Sequence, residues 1–176
     1  MMEKIPAAVF AHLLCWWERL EEDRASRAIL KRAHDINAVA LSVPYQCLYR
    51  ELLAAGWPVD ERPEQSLCND RLAAVVGLLA HVRGEVNGTR QRNGTLTPPK
   101  AMSRKEADRP VVSELRFLRL LQSPDTDSLF IGLRRLLPLM GNSLDVIALA
   151  TDLLNWGDKV RKQWAYHYDW PEQASR

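Results

Sequence analysis

Large apolar residues in this chain recur at intervals of three and four, and nowhere in a sustained alternation of two. That spacing is the strongest constraint on the fold, because a period near 3.6 gives a helix one buried face and a strand needs a period of two. Val9, Leu13, Trp16, Trp17 and Leu20 make such a stripe over Ala8 to Glu22, with Glu21, Glu22 and Asp23 closing it. Arg24 to His34 predicts a second helix with Ala28 and Ile29 inward. Pro44 opens a third over Tyr45 to Ala55, and Gly56 ends it, since proline suits a first helical turn and glycine a helix end. Trp57-Pro58 is a break. Pro63 opens a long helix to about Arg83, with Leu67, Leu72, Val75, Val76 and Leu79 inward.

The pattern changes over 85–110, where Gly88, Gly94, Pro98, Pro99 and Pro110 stand among few large apolar groups. This reads as a loop or linker. Helical spacing returns at Ser113 to Gln122, with Leu115, Leu118 and Leu121 inward. Asp127 or Ser128 caps a helix carrying Leu129, Ile131, Leu133, Leu136 and Leu137; Ser143 caps one carrying Val146, Leu149, Leu153 and Leu154. A last helix holds Val160 and Trp164 and ends before Pro171. The expected fold is therefore all-α, a compact bundle with an N-terminal helical lobe (1–84), a polar basic loop (85–110) and a C-terminal helical lobe (111–176).

The apolar run from Ala73 to Ala80 falls far short of the roughly 20 residues of a membrane span. Met1 to Phe10 lacks the basic start and apolar stretch of a signal peptide, so a cytoplasmic protein is expected. On that reading Asn87-Gly88-Thr89 and Asn93-Gly94-Thr95 are loop sequence rather than glycosylation sites. Cys15, Cys47 and Cys68 form no Cys-x-x-Cys pair and are read as buried free thiols.

Little here points to catalysis. His12, His34, His81 and His167 have no second ligand at metal-binding helix spacing. His34 and Asp35 are neighbours and would point to different sides of a helix. His12 shares a face with Trp16, which favours packing. There is no phosphate-binding glycine loop and no nucleophile elbow around Ser42, Ser66, Ser113 or Ser143. No metal, cofactor or catalytic residue is expected. Trp16, Trp156 and Trp164 fit the core, whereas Trp17 and Trp57 are candidates for an exposed contact with a partner.

The formal net charge is only +2, so distribution has to carry any argument for nucleic acid. The 85–110 segment holds six basic and three acidic residues, a local balance of +3. Arg24, Arg27 and Lys31 stack along one helix face, and Arg32 widens the patch. Arg116 and Arg119 lie one turn apart. Arg134 and Arg135 flank Leu133 and Leu136, and Lys159, Arg161 and Lys162 start the last helix. Cations on rigid helices meet phosphates without sequence preference, and guanidinium groups do so bidentately. The bland alternative is a set of solvated faces and surface ion pairs.

Ordered segments of the chain resemble the CasB family, the small subunit of the type I-E CRISPR Cascade complex. They are Trp16-Trp17-Glu18-Arg19-Leu20, Asp23-Arg24-Ala25-Ser26-Arg27-Ala28, Leu30-Lys31-Arg32, Ser113-Glu114-Leu115-Arg116-Phe117, Leu133-Arg134-Arg135-Leu136, Leu153-Leu154-Asn155-Trp156 and Val160-Arg161-Lys162-Gln163-Trp164. The resemblance covers roughly 8–55 and 98–170. It implies a non-catalytic, all-helical subunit of an antiviral ribonucleoprotein. The implied partners are the backbone and large subunits, a second copy of the chain, guide RNA and target DNA. In such a complex base pairing reads the sequence, and the small subunit holds the displaced non-target strand. The alternative is a purely structural scaffold bridging protein partners. The resemblance assigns phosphate contacts to Arg116, Arg134, Arg135, Lys31, Arg32, Lys159 and Arg161, and Lys100 is placed to join them. Asp158 is expected to weaken the last group.

Overall fold

Short polar side chains set where the helices begin. The protein is described by a computed structural model covering residues 4–58, 63–83 and 96–172. Ten α-helices follow one another among the described residues: α1 (Ala7–Arg19), α2 (Arg24–Arg32), α3 (Ile36–Ala40), α4 (Val43–Ala54), α5 (Pro63–Leu79), α6 (Pro98–Ser103), α7 (Glu114–Leu121), α8 (Thr126–Leu136), α9 (Val146–Leu154) and α10 (Asp158–His167). Asp23, Asp35 and Ser42 accept hydrogen bonds from the backbone N–H groups of Ser26, Ala38 and Tyr45 at the starts of α2, α3 and α4. Each satisfies a donor the helix itself leaves open. Asp125 and Asp145 cap α8 and α9, not Asp127, Ser128 or Ser143 as the sequence spacing suggested. Asp127 instead accepts from the Ile36 N–H at 2.9 Å, joining α8 to α3.

Helix α5 lies at the centre. Every residue from Leu72 to Ala80 is buried, because α2, α3, α8 and α9 all pack on it. A helix surrounded in this way is apolar on all sides rather than on one stripe. Gly77 makes the crossing possible: a Cβ there would stand 2.8 Å from the Phe130 ring and 2.8 Å from Val39 Cγ2. The core runs without interruption from Val9 in α1 to Tyr168 beyond α10.

The segment expected as loop is partly built. Residues 84–95, with both Asn-Gly-Thr sequences, Arg90 and Arg92, lie outside the described residues. Beyond them come α6 and a small antiparallel hairpin, β1 (Lys105–Glu106) and β2 (Arg109–Pro110). Ala107 and Asp108 form its turn with φ of 49° and 62°, the left-handed pair that matches strand twist. The hairpin is held down by the Val112 N–H to Met102 O bond, 2.9 Å.

Other expectations about faces change. In α7 the buried residues are Phe117 and Leu120, while Leu115 and Leu118 are 58% and 40% exposed. The reason is aromatic: Phe117 stacks on Tyr168 with ring centroids 4.2 Å apart, and Trp170 meets it edge-on. Ile29 and Leu67 also face outward. Cys15 and Cys47 are exposed and Cys68 is half-buried, so none is a fully buried thiol. Trp57 is buried, its indole N–H donating to Asn69 Oδ1 at 2.9 Å. Trp17 is half-buried and donates to Val82 O at 3.2 Å. His34 and Asp35 do meet, at 3.1 Å, because both lie outside the helices in the turn from α2 to α3.

Candidate nucleic-acid interface

The two arginine-rich segments at 24–32 and 134–135 come together in space. Arg134 donates from Nη2 to Lys31 O at 3.0 Å, tying the C-terminal end of α8 to that of α2. Arg27, one turn before Lys31, donates from Nε to Ala80 O and from Nη2 to Val82 O, both at 3.0 Å. These carbonyls follow the last turn of α5, which has no amide partners for them. Three helix ends thus meet, and their cations crowd His81. Burial, and after it the charges of Arg134, Lys31 and Arg27, push the His81 imidazole down to about 4. It is neutral at pH 7, and its Nε2 is buried with no hydrogen-bond partner among the described residues.

Arg24, Arg32 and Arg135 are exposed around this cluster. Among the described residues no carboxylate pairs with any of them. The cluster therefore divides: Arg27 and Arg134 brace the fold while leaving their charge at the surface, and Arg24, Arg32 and Arg135 project from it. Sequence reading missed His81, and no local signal marks it, since its neighbours arrive from helices far away in the chain. Arg71 was missed too: it donates to Leu154 O and Trp156 O at 3.2 and 2.8 Å, fastening α5 to the end of α9.

The remaining basic residues lie elsewhere. Arg161 donates to Ser123 O at 3.3 Å, stands over the Trp156 ring at 6.0 Å and has Asp158 at 3.8 Å. It is a brace between α10 and the end of α7, and Asp158 does offset its charge. Lys159 and Lys162 are exposed beside it. Arg116 and Arg119 are exposed on α7. Lys100 is held by Asp169 at 2.6 Å, at the far end of α10. It borders a hollow of about 270 Å³ shared with Asp152 and His167. There the half-buried Asp152 accepts the Trp164 indole N–H at 2.7 Å, and burial raises its carboxyl above the usual range. A second hollow, of about 380 Å³, runs between α1 and α4 past Trp16, Cys47 and Glu51. Glu51 is held below the usual carboxylate range by His12 at 2.6 Å and by Arg19 at 3.0 Å. Among the described residues no hydrogen bond links Cys47 to His12 or Glu51, whose bonds run to each other and to Arg19. Among the described residues no group of His, Cys, Asp and Glu could hold a metal ion, and no helix is long and apolar enough to cross a membrane.

Known proteins put this arrangement in context. No curated protein matches the chain. A subunit in the crystal structure of E. coli Cascade bound to a PAM-containing double-stranded DNA target has a similar fold, with a TM-score of 0.60 at 20% identity. The match covers 94% of this chain and 95% of that one. The family model for CRISPR-associated protein Cse2 matches residues 26–168, which takes in most of α2, all of α3 through α10, and the cations of the cluster except Arg24. The chain belongs to the CRISPR-associated Cse2 family.

Proposed function

We propose that the chain is a non-catalytic subunit of an RNA-guided surveillance complex, and that it holds nucleic-acid backbone on the surface formed by Arg24, Arg27, Lys31, Arg32, Arg134 and Arg135. The observation that carries the reading is the Arg134–Lys31 contact, because it turns two patches 103 residues apart into one basic surface. Among the described residues no carboxylate pairs with Arg24, Arg32 or Arg135, so a phosphate chain can supply the anions that relieve their mutual repulsion, and its own counterions are released as it does so. Family membership and the likeness to a subunit of DNA-bound Cascade support the setting: other subunits, a second copy of the chain, guide RNA and target DNA as neighbours. Lys159 and Lys162, exposed at the start of α10, form a separate basic site that the same reading assigns to phosphate. In that setting guide pairing reads the target, so the subunit needs only to grip phosphates, and the displaced strand is the one left to grip.

The test is fluorescence anisotropy with a labelled single-stranded oligonucleotide over roughly 50–200 mM salt. Wild type should bind without sequence preference and weaken as salt rises. Arg24→Glu, Arg32→Glu and Arg135→Glu together should lower the slope of log K against log salt by about 2, at about 0.7 per phosphate contact on a single strand. An unchanged slope would remove the assignment.

A further inference from the structure

We propose that Tyr166, beside Lys159 and Lys162 on α10, stacks on an unpaired base of a bound nucleic-acid strand. Helix α10 turns Val160 and Trp164 toward the core. With about 100° between successive residues, Lys159, Lys162 and Tyr166 then share the outer side, within about 60° of one another around the axis. Lys162 and Tyr166 stand one turn apart, about 6 Å along the axis. Tyr166 is 86% exposed. The other tyrosines are placed differently: Tyr45 and Tyr168 are buried, and Tyr49 stacks on Tyr45 with ring centroids 6.1 Å apart. Among the described residues no ring packs on Tyr166 and no group hydrogen-bonds to its hydroxyl.

Charge and shape select the occupant. Among the described residues no carboxylate pairs with Lys159 or Lys162; nearby Asp158 stands 3.8 Å from Arg161, and Asp169 is held by Lys100 at 2.6 Å. One ring flanked by two ammonium groups is a poor centre for a protein interface, where lysine is scarce and apolar neighbours gather. The other large apolar side chains of α10, Val160 and Trp164, face the core and cannot supply those neighbours. A single strand engages all three side chains at once. Its phosphates meet the ammonium groups, and any base offers a flat face to the ring, whatever the sequence. In a duplex those faces are covered by the neighbouring pairs, so the ring favours a strand without a partner. The inference rests on the reading of the chain as a holder of nucleic-acid backbone, and it adds to that reading a contact with bases and a preference for unpaired ones.

The experiment uses the full chain and a single strand in which iodouracil replaces thymine, a base that crosslinks under ultraviolet light to an aromatic ring stacked on it. Mass spectrometry should place an adduct on Tyr166; Tyr166→Phe should keep that adduct and Tyr166→Ala should remove it. In parallel, Tyr166→Ala is made beside Arg24→Glu, Arg32→Glu and Arg135→Glu, so that anisotropy reads the α10 site alone. There it should weaken single-strand binding about tenfold, leave the salt slope unchanged and leave duplex binding as it was. An abasic strand should bind equally with and without the ring. Tyr166 is exposed, so circular dichroism and thermal melting of Tyr166→Ala should match wild type. No adduct at Tyr166, or equal single-strand affinity with and without the ring, overturns the proposal. Lys159→Glu/Lys162→Glu separates the two readings: should it keep the wild-type salt slope while Tyr166 still takes the adduct, the phosphate role of α10 fails and the stacking stands.

Discussion

Arg27 and Arg24 lie one turn apart on the same helix, yet replacing them should have different consequences. Arg27 donates two hydrogen bonds, each 3.0 Å, to Ala80 O and Val82 O. A hydrogen bond from a charged donor contributes about 1.5–3 kcal/mol, and removing the donor also leaves Ala80 O in need of a partner, while Val82 O keeps the Trp17 indole N–H. Because the site is half-buried, water replaces part of that loss, so Arg27→Ala should cost about 2–4 kcal/mol. For a chain of this length that is roughly a 10 °C fall in Tm. Arg24 has no such partner, and Arg24→Ala should stay within about 0.5 kcal/mol of wild type. Both should weaken binding of an oligonucleotide, since both remove a cation. Thermal and urea unfolding followed by circular dichroism, beside anisotropy on the same samples, give all four values. Arg27→Lys adds a check, because one ammonium group cannot reproduce a guanidinium fork bridging two carbonyls. If Arg27→Ala and Arg24→Ala melted together, Arg27 would be a surface cation and the brace between α2 and α5 would be wrong.

Three further outcomes are expected. His81, depressed to about 4 against an ordinary 6.5, takes up its proton more readily unfolded than folded. Stability is therefore complete above about pH 6.5 and falls as pH drops toward 4, by about 1–2 kcal/mol after allowance for solvent on its open side; His81→Gln should lose this component in paired urea melts at pH 7 and 4.5, and identical pH dependence would refute it. Gly77→Ala places a methyl 2.8 Å from the buried Phe130 ring and from Val39, and the strain of about 1–3 kcal/mol should exceed the gain of about 1 kcal/mol in helix propensity, so a raised Tm would contradict the packing. Trp164→Phe strands the Asp152 carboxylate that now accepts its N–H at 2.7 Å and should cost at least about 2 kcal/mol, while Asp152→Asn keeps an acceptor and should cost less; the reverse order in denaturant melts would sink that account.

Helix existence was legible because it depends on local spacing. Stripes such as Leu72, Val75, Val76 and Leu79 report a buried side whatever they meet. Helix faces were less legible where two stripes compete. In α7 the spacing Leu115, Leu118, Leu121 is as regular as Phe117, Leu120, and only the arrival of Tyr168 and Trp170 decides between them. Short helices escaped for a related reason. The five residues of α3 carry too little periodic signal, and they are helical because Asp35 caps them and Asp127 anchors their first N–H. The proline pair at 98–99 reads as a linker until α10 is present to pack against it.

The arginines show the same limit more sharply. Sequence spacing places Arg24, Arg27 and Lys31 on one face, but it cannot separate a cation that fastens carbonyls from one that waits for a phosphate. That distinction depends on where α5 ends. Its last carbonyls need donors, and Arg27 is within reach; its Leu72–Ala80 run excludes water, so His81 just beyond it stays neutral among three cations. The basic surface is thus a by-product of how three helix ends satisfy one another. Its charge cannot be removed at Arg27 or Arg134 without loosening the fold, whereas Arg24, Arg32 and Arg135 can change freely. A variant that separates binding from stability must be sought among those three.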